Sequence, residues 1–134
     1  MSEENEFSEE IQNLMDTAFG AMVAALEDDT SPAMIFWVEA GEQKMRMANG
    51  TTLPEITDNM RIFAELTPRM SSCVLVYFGG PEEDGTAYAW AQGFERGKPQ
   101  GFVLGQEFAK PKRSKVYKPT GDIFYRDECE TIFE

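Results

Sequence analysis

The chain has 134 residues, of which 42% are hydrophobic and 27% charged, and its formal net charge is −12. This length bounds a single domain, residues 1–134, able to bury about two thirds of the surface its unfolded chain exposes. The composition is that of an ordinary soluble globular protein, which excludes a disordered chain and a membrane-embedded one; the apolar runs "AMIFWV" and "CVLVYF" are far shorter than the ~20 residues of a spanning helix.

The opening "MSEENEFSEE" is acidic where a signal or transit peptide would be basic. A cytoplasmic protein is therefore expected, with residues 1–7 as a flexible acidic lead-in. From Phe7 the apolar positions Ile11, Leu14, Met15, Ala18, Met22, Val23 and Leu26 recur at helical spacing, which predicts an amphipathic helix over 9–27. Ser8 is placed to cap it, and Glu9 and Glu10 suit the positive end of its dipole. "AMIFWVEA", "GE" and "QKMRMA" then read as a β-hairpin whose two-residue turn uses Gly41 for a positive φ.

Thr52 stands three residues before Glu55, a capping-box spacing, and Pro54 suits a first helical turn. A second helix is predicted over about 54–67, burying Ile56, Met60 and Phe63 with Leu66 or Ala64. "CVLVYF" is apolar throughout, as in a central strand covered on both faces. "TAYAWAQGF" alternates, with Tyr88, Trp90, Gln92 and Phe94 pointing one way and Ala87, Ala89, Ala91 and Gly93 the other. The next strand opposes Phe102, Leu104, Gln106 and Phe108 to Gly101, Val103, Gly105 and Glu107. Pairing Phe94 with Phe102 across the "RGKPQ" turn would set Trp90 against Gln106 and Tyr88 against Phe108, gathering the bulky groups on one face.

The expected fold is α+β: an N-terminal helix, a β-hairpin, a second helix, then an antiparallel β-meander, in the order α-β-β-α-β-β-β-β. In a two-layer domain the helices would cover the aromatic face and bury Trp90 and Phe63. The small face, with Ala89, Ala91, Gly93 and Gly105, would meet solvent, the N-terminal helix or another subunit; a flat face of that kind suggests an interface and a homodimer.

The charge distribution is uneven. Residues 96–118, "RGKPQGFVLGQEFAKPKRSKVYK", hold Arg96, Lys98, Lys110, Lys112, Arg113, Lys115 and Lys118 against Glu107 alone, a local 7 − 1 = +6, while the rest of the chain sums to 5 − 23 = −18. Such a run solvates and protects sheet edges, or it contacts an acidic partner, including the acidic N-terminus of a second copy. Because the turn carrying Arg96 and Lys98 lies at the far end of its strand from Lys110, two patches are expected. A net charge of −12 argues against nucleic acid.

Chemistry is constrained by the absence of histidine from the whole chain, which removes the usual general base and the commonest zinc ligand. Cys73 lies in an apolar run and Cys129 among acids, in no metal-ligand or disulfide spacing. The glycines of "FGGPEEDG" are followed by acids that would repel a phosphate, and Glu82, Glu83 and Asp84 lack EF-hand spacing. No catalytic residue, cofactor or metal is assigned.

"CVLVYFGG" and the closing "PTGDIFYRDE" resemble segments of small uncharacterised α+β proteins of bacteria and phages, and the resemblance in element order covers most of the chain. It implies a fold and carries no functional residue. In size and acidity the chain is also similar to the small acidic chaperones of bacterial secretion systems, but has two strands, not three, before the second helix. The expected function is that of a non-enzymatic protein-interaction module, an acidic accessory or adaptor protein acting through the basic segment and Ala89, Ala91 and Gly105. The alternatives are a nucleic-acid-associated protein using 96–118 and, behind it, a histidine-free enzyme.

Overall fold

The protein, described by a computed structural model over residues 7–79, 86–110 and 116–133, is built on one antiparallel sheet with a helix on each face. The helices are α1 (Glu9–Glu27) and α2 (Leu53–Glu65). The strands are β1 (Met34–Glu39), β2 (Glu42–Met47), β3 (Met70–Gly79), β4 (Thr86–Glu95), β5 (Gln100–Ala109), β6 (Lys118–Pro119) and β7 (Phe124–Glu130). Their order is β2-β1-β3-β4-β5, with β6 and β7 both along the outer side of β5. The α+β class and the order of elements are those the sequence predicts, the last strand being split into β6 and β7. No helix among the described residues is long and apolar enough to cross a membrane.

α1 forms where the apolar spacing places it. The Ser8 side chain accepts from the Ile11 amide at 3.2 Å, satisfying a donor that the first turn leaves unpaired. Its buried stripe, Ile11, Leu14, Met15, Ala18, Phe19, Met22 and Leu26, lies on the first face of the sheet. Glu10 fixes the near end: its Oε2 accepts from the hydroxyls of Ser71 and Ser72, both at 2.6 Å. Phe7, assigned above to the flexible lead-in, stacks on Phe102 with ring centres 4.0 Å apart.

α2 starts at Leu53 and ends at Glu65, slightly earlier than the sequence predicts, with Thr52 accepting from the Glu55 amide at 3.3 Å. It buries Ile56, Met60 and Ala64 on the second face; Leu66 is 76% exposed, so of the two alternatives Ala64 is the core residue. Phe63 is half-buried, edge-on to Trp37 at 4.8 Å and under the Arg46 guanidinium. The helices thus cover opposite faces, and the two-layer expectation is corrected to a sheet between two partial layers. β1 and β3 show why: Met34, Phe36, Val38, Val74 and Val76 join the α1 core, while Ile35, Trp37, Cys73 and Leu75 join the α2 core. A strand apolar at every position needs cover on both sides.

The β1–β2 turn lies one residue earlier than expected, and the β4–β5 register differs from expectation by one residue. The β1–β2 turn is Ala40–Gly41, closed by Glu39 opposite Glu42, and Ala40 (φ 53°) joins Gly41 (φ 84°) in the left-handed region, as a tight two-residue hairpin turn demands at both positions. In the β4–β5 hairpin Gly93 faces Phe102, Ala91 faces Leu104, Trp90 faces Gly105 and Tyr88 faces Glu107. A slip of one residue exchanges the faces of a strand, so Phe102 and Phe108 belong to the α1 core while Phe94 belongs to the α2 core. The aromatic residues are divided between the faces. Packing selects this register because large side chains lie across small ones: a Cβ on Gly93 would stand 2.6 Å from Phe102 Cζ, and one on Gly101 2.6 Å from Phe94 Cδ1.

Candidate interaction surface

Of three described lysines of the basic segment, Lys98 stands apart, while Lys110 and Lys118 neighbour each other at the other end of β5, where Ala109 pairs with Lys118. Lys98 is exposed in the β4–β5 turn, Lys110 is exposed beyond β5, and Lys118 is exposed in β6. The two ends of β5 are roughly 30 Å apart at ~3.4 Å per residue, which separates Lys98 from Lys110. Lys110 lies 5.0 Å from the centre of the Tyr117 ring. Lys112, Arg113 and Lys115 lie outside the described residues.

Arg96 has an internal role. Its Nε donates to the Met70 carbonyl at 2.8 Å, Nη2 reaches the Ala64 and Thr67 carbonyls at 3.5 and 3.4 Å, and the guanidinium lies 4.5 Å from the centre of Phe133. Carbonyls at a helix C-terminus lack intrahelical donors and carry partial negative charge. Arg96 supplies a donor there and ties α2 to the β4 end and to the C-terminal tail.

Ala89 and Ala91 are fully buried in the α1 core. Of the three coverings the sequence allows for the small positions of β4, the N-terminal helix is the one present, and neither residue reaches a partner. Gly105 is buried on the opposite face, where a Cβ would stand 2.4 Å from Trp90 Cζ3 and 2.9 Å from Phe124 Cζ. It is the space into which the Trp90 ring lies. The three small residues expected to form an interface are therefore packing sites, two under a helix and one under an indole.

On the second face α2 and the tail cover only part of the sheet. Ile132 and Phe133 fold back into the α2 core beside Phe94; the acidic context of these last residues masked them in the sequence, where the apolar pair itself was the only signal. Beyond this cover lies an open cluster. Trp90 is half-buried, with Tyr88 parallel to it at 5.1 Å, Phe124 edge-on at 6.0 Å, and the Arg126 guanidinium 4.6 Å from its ring centre. Phe124 is 40% exposed. Tyr77 and Gln92, joined at 3.4 Å, continue the surface toward α2. There it meets a groove of about 350 Å³ between α2 and β7, where Arg61 bridges Asp58 at 3.1 Å and Glu130 at 3.0 Å.

The sequence marks Tyr88 and Trp90 but not Phe124 or Arg126, which reach the cluster only because β7 returns along β5. Arg126 is the extra residue of an irregularity: Leu104 faces Tyr125 and Val103 faces Asp127, leaving Arg126 unmatched. Such a bulge re-aims a side chain, and here the guanidinium is set over Trp90, a favourable cation–aromatic contact.

The thiols offer little reactivity. Burial pushes Cys73 far above the ordinary thiol range; burial first, and then the charge of Asp127, pushes Cys129 up to about 11. Since the thiolate is the nucleophile, alkylation of native Cys129 is expected to quicken about tenfold per pH unit from neutrality and to level off only near pH 11. Cys73 should stay unlabelled until the chain unfolds. Mass spectrometry of iodoacetamide-treated protein checks both, and rapid labelling of either at pH 7 would contradict the burial. Among the described residues no group of three or more His, Cys, Asp or Glu side chains converges on a metal-sized site. Comparison with protein-family models, curated proteins and solved structures finds no match for this chain, so the open aromatic–arginine cluster is the feature on which a functional reading stands.

Proposed function

We propose that this protein is a non-catalytic interaction module that docks a protein partner through the cluster of Tyr88, Trp90, Phe124 and Arg126. The carrying observation is that this cluster stays half open where the cover given to its face by α2 and the tail ends. Tyr, Trp and Arg are the side chains most enriched among residues that dominate binding energy, the two aromatics because they bring large rigid area at low entropic cost. The adjoining groove offers room for a second contact.

Capture from the native host tests the proposal. Wild-type protein should retain a partner that Phe124→Ser and Arg126→Glu lose, each variant melting within a few degrees of the parent because both positions are exposed. Equal retention by the variants would contradict a docking role for the cluster. A single-stranded oligonucleotide should not bind, since Glu107, opposite Tyr88, and Asp127, opposite Val103, share the face of the cluster and would repel phosphates.

A further inference from the structure

The cluster runs into an unpaired sheet edge. β7 bonds to β5 on one side, and among the described residues no strand lies along its other side; Phe124 to Glu128 are all exposed. A free edge presents backbone donors and acceptors to an extended chain, and proteins blunt it with charged side chains, above all lysine, with proline or with a bulge; β7 has the bulge at Arg126, which leaves Phe124–Tyr125 and Asp127–Glu128 as two short edge segments. The opposite edge, β2, carries Lys44 and Arg46. β7 has neither lysine nor proline, and bears Asp127, Glu128 and Glu130 with Arg126 as its single cation. Glu130 is paired with Arg61, whereas Asp127 and Glu128 make no ion pair among the described residues.

The register gives this edge a pattern on both faces. Phe124 and Asp127 sit opposite Gly105 and Val103, on the Trp90 side; Tyr125 and Glu128 sit opposite Leu104 and Phe102, on the α1 side. Each face thus offers an exposed aromatic ring followed by a carboxylate. We infer that β7 accepts an extended cationic segment of a partner protein as an added strand, with apolar residues against Phe124 and Tyr125 and lysines or arginines against Asp127 and Glu128; this rests on the docking role proposed above. Main-chain hydrogen bonds supply affinity in strand addition, and alternating side chains supply selectivity. The chain's net charge of −12 favours approach of a cationic segment.

Three capped peptides test this on the full chain by calorimetry at low salt: one alternating Val-Val with Lys-Lys pairs, one with Glu-Glu replacing Lys-Lys, and the lysine peptide N-methylated at alternate amides. The lysine peptide should bind, losing affinity as salt rises, with each of the other two at least tenfold weaker. Asp127→Lys combined with Glu128→Lys should reverse the preference between lysine and glutamate, and Phe124→Ser should weaken the lysine peptide at least fivefold. Equal binding of the N-methylated peptide would overturn strand addition, and preference for the glutamate peptide would overturn the cationic class. Failure of all three would overturn the inference while partner capture sensitive to Phe124 still upheld the docking role; failure of both would remove the two together. Self-association of the free protein that Lys44→Glu abolishes would identify β2 of a second copy as the added strand and overturn an external partner.

Discussion

Phe94→Ala is expected to destabilise the protein by about 3–5 kcal/mol, a large part of the stability of an ordinary domain. Phe94 is fully buried, its ring lying across Gly101 and within the core formed by Met60, Met70, Leu75 and Phe133. Removing it leaves a cavity whose walls belong to three separate segments: α2, the sheet and the tail. Trp90, four residues earlier on the same face of β4, is half-buried and borders solvent. Trp90→Ala should therefore cost only roughly 1–2 kcal/mol, the value of a part-buried ring and its stacking contacts. Chemical denaturation of the two variants measures the contrast. Equal losses would mean that the second face is sealed as far as Trp90.

Gly101→Val is the second large effect, in the direction of overpacking. A Cβ at Gly101 would stand 2.8 Å from the Gly93 carbonyl oxygen as well as 2.6 Å from Phe94 Cδ1. The oxygen belongs to the β4–β5 ladder and cannot move without breaking it, and the ring is enclosed. A loss of roughly 1–3 kcal/mol or more is expected, visible as a lower denaturation midpoint with an unchanged slope. If the hairpin had the alternative register, with Phe94 facing Phe102, Gly101 would not underlie Phe94 and the substitution would be mild. The variant thus tests the register as well as the packing.

That register marks where reading the sequence stopped being sufficient. Both helices were legible because three- and four-residue apolar spacing fixes a helix face without reference to any partner. The need of β1 and β3 for two-sided cover was legible from unbroken apolar runs. Alternation in β4 and β5 correctly separated large from small residues within each strand, yet which face of β5 joins which face of β4 depends on one residue of turn geometry. Steric fit decides it: Gly93, Gly101 and Gly105 are the recesses for Phe102, Phe94 and Trp90. Read strand by strand, Gly93 and Gly105, with Ala89 and Ala91, suggest an open interface.

The site was less legible than the fold for a related reason. Arg96 counts as one more positive charge in the sequence, whereas its hydrogen-bond partners come from the region where α2 ends, about thirty residues earlier in the chain. Phe124 and Arg126 become partners of Trp90 through a bulged strand pairing. No periodicity within residues 124–130 records that meeting.

A patch that docks a partner must be open in the free protein, and tryptophan fluorescence measures this most directly because the chain has only two tryptophans, Trp37 and Trp90. In Trp37→Phe protein, acrylamide should quench Trp90 readily, and Phe124→Ser should increase the quenching by removing the ring beside it. In Trp90→Phe protein, Trp37, only 7% exposed, should be strongly protected. Trp90 as protected as Trp37, and unchanged by Phe124→Ser, would contradict an open aromatic surface on this face of the sheet.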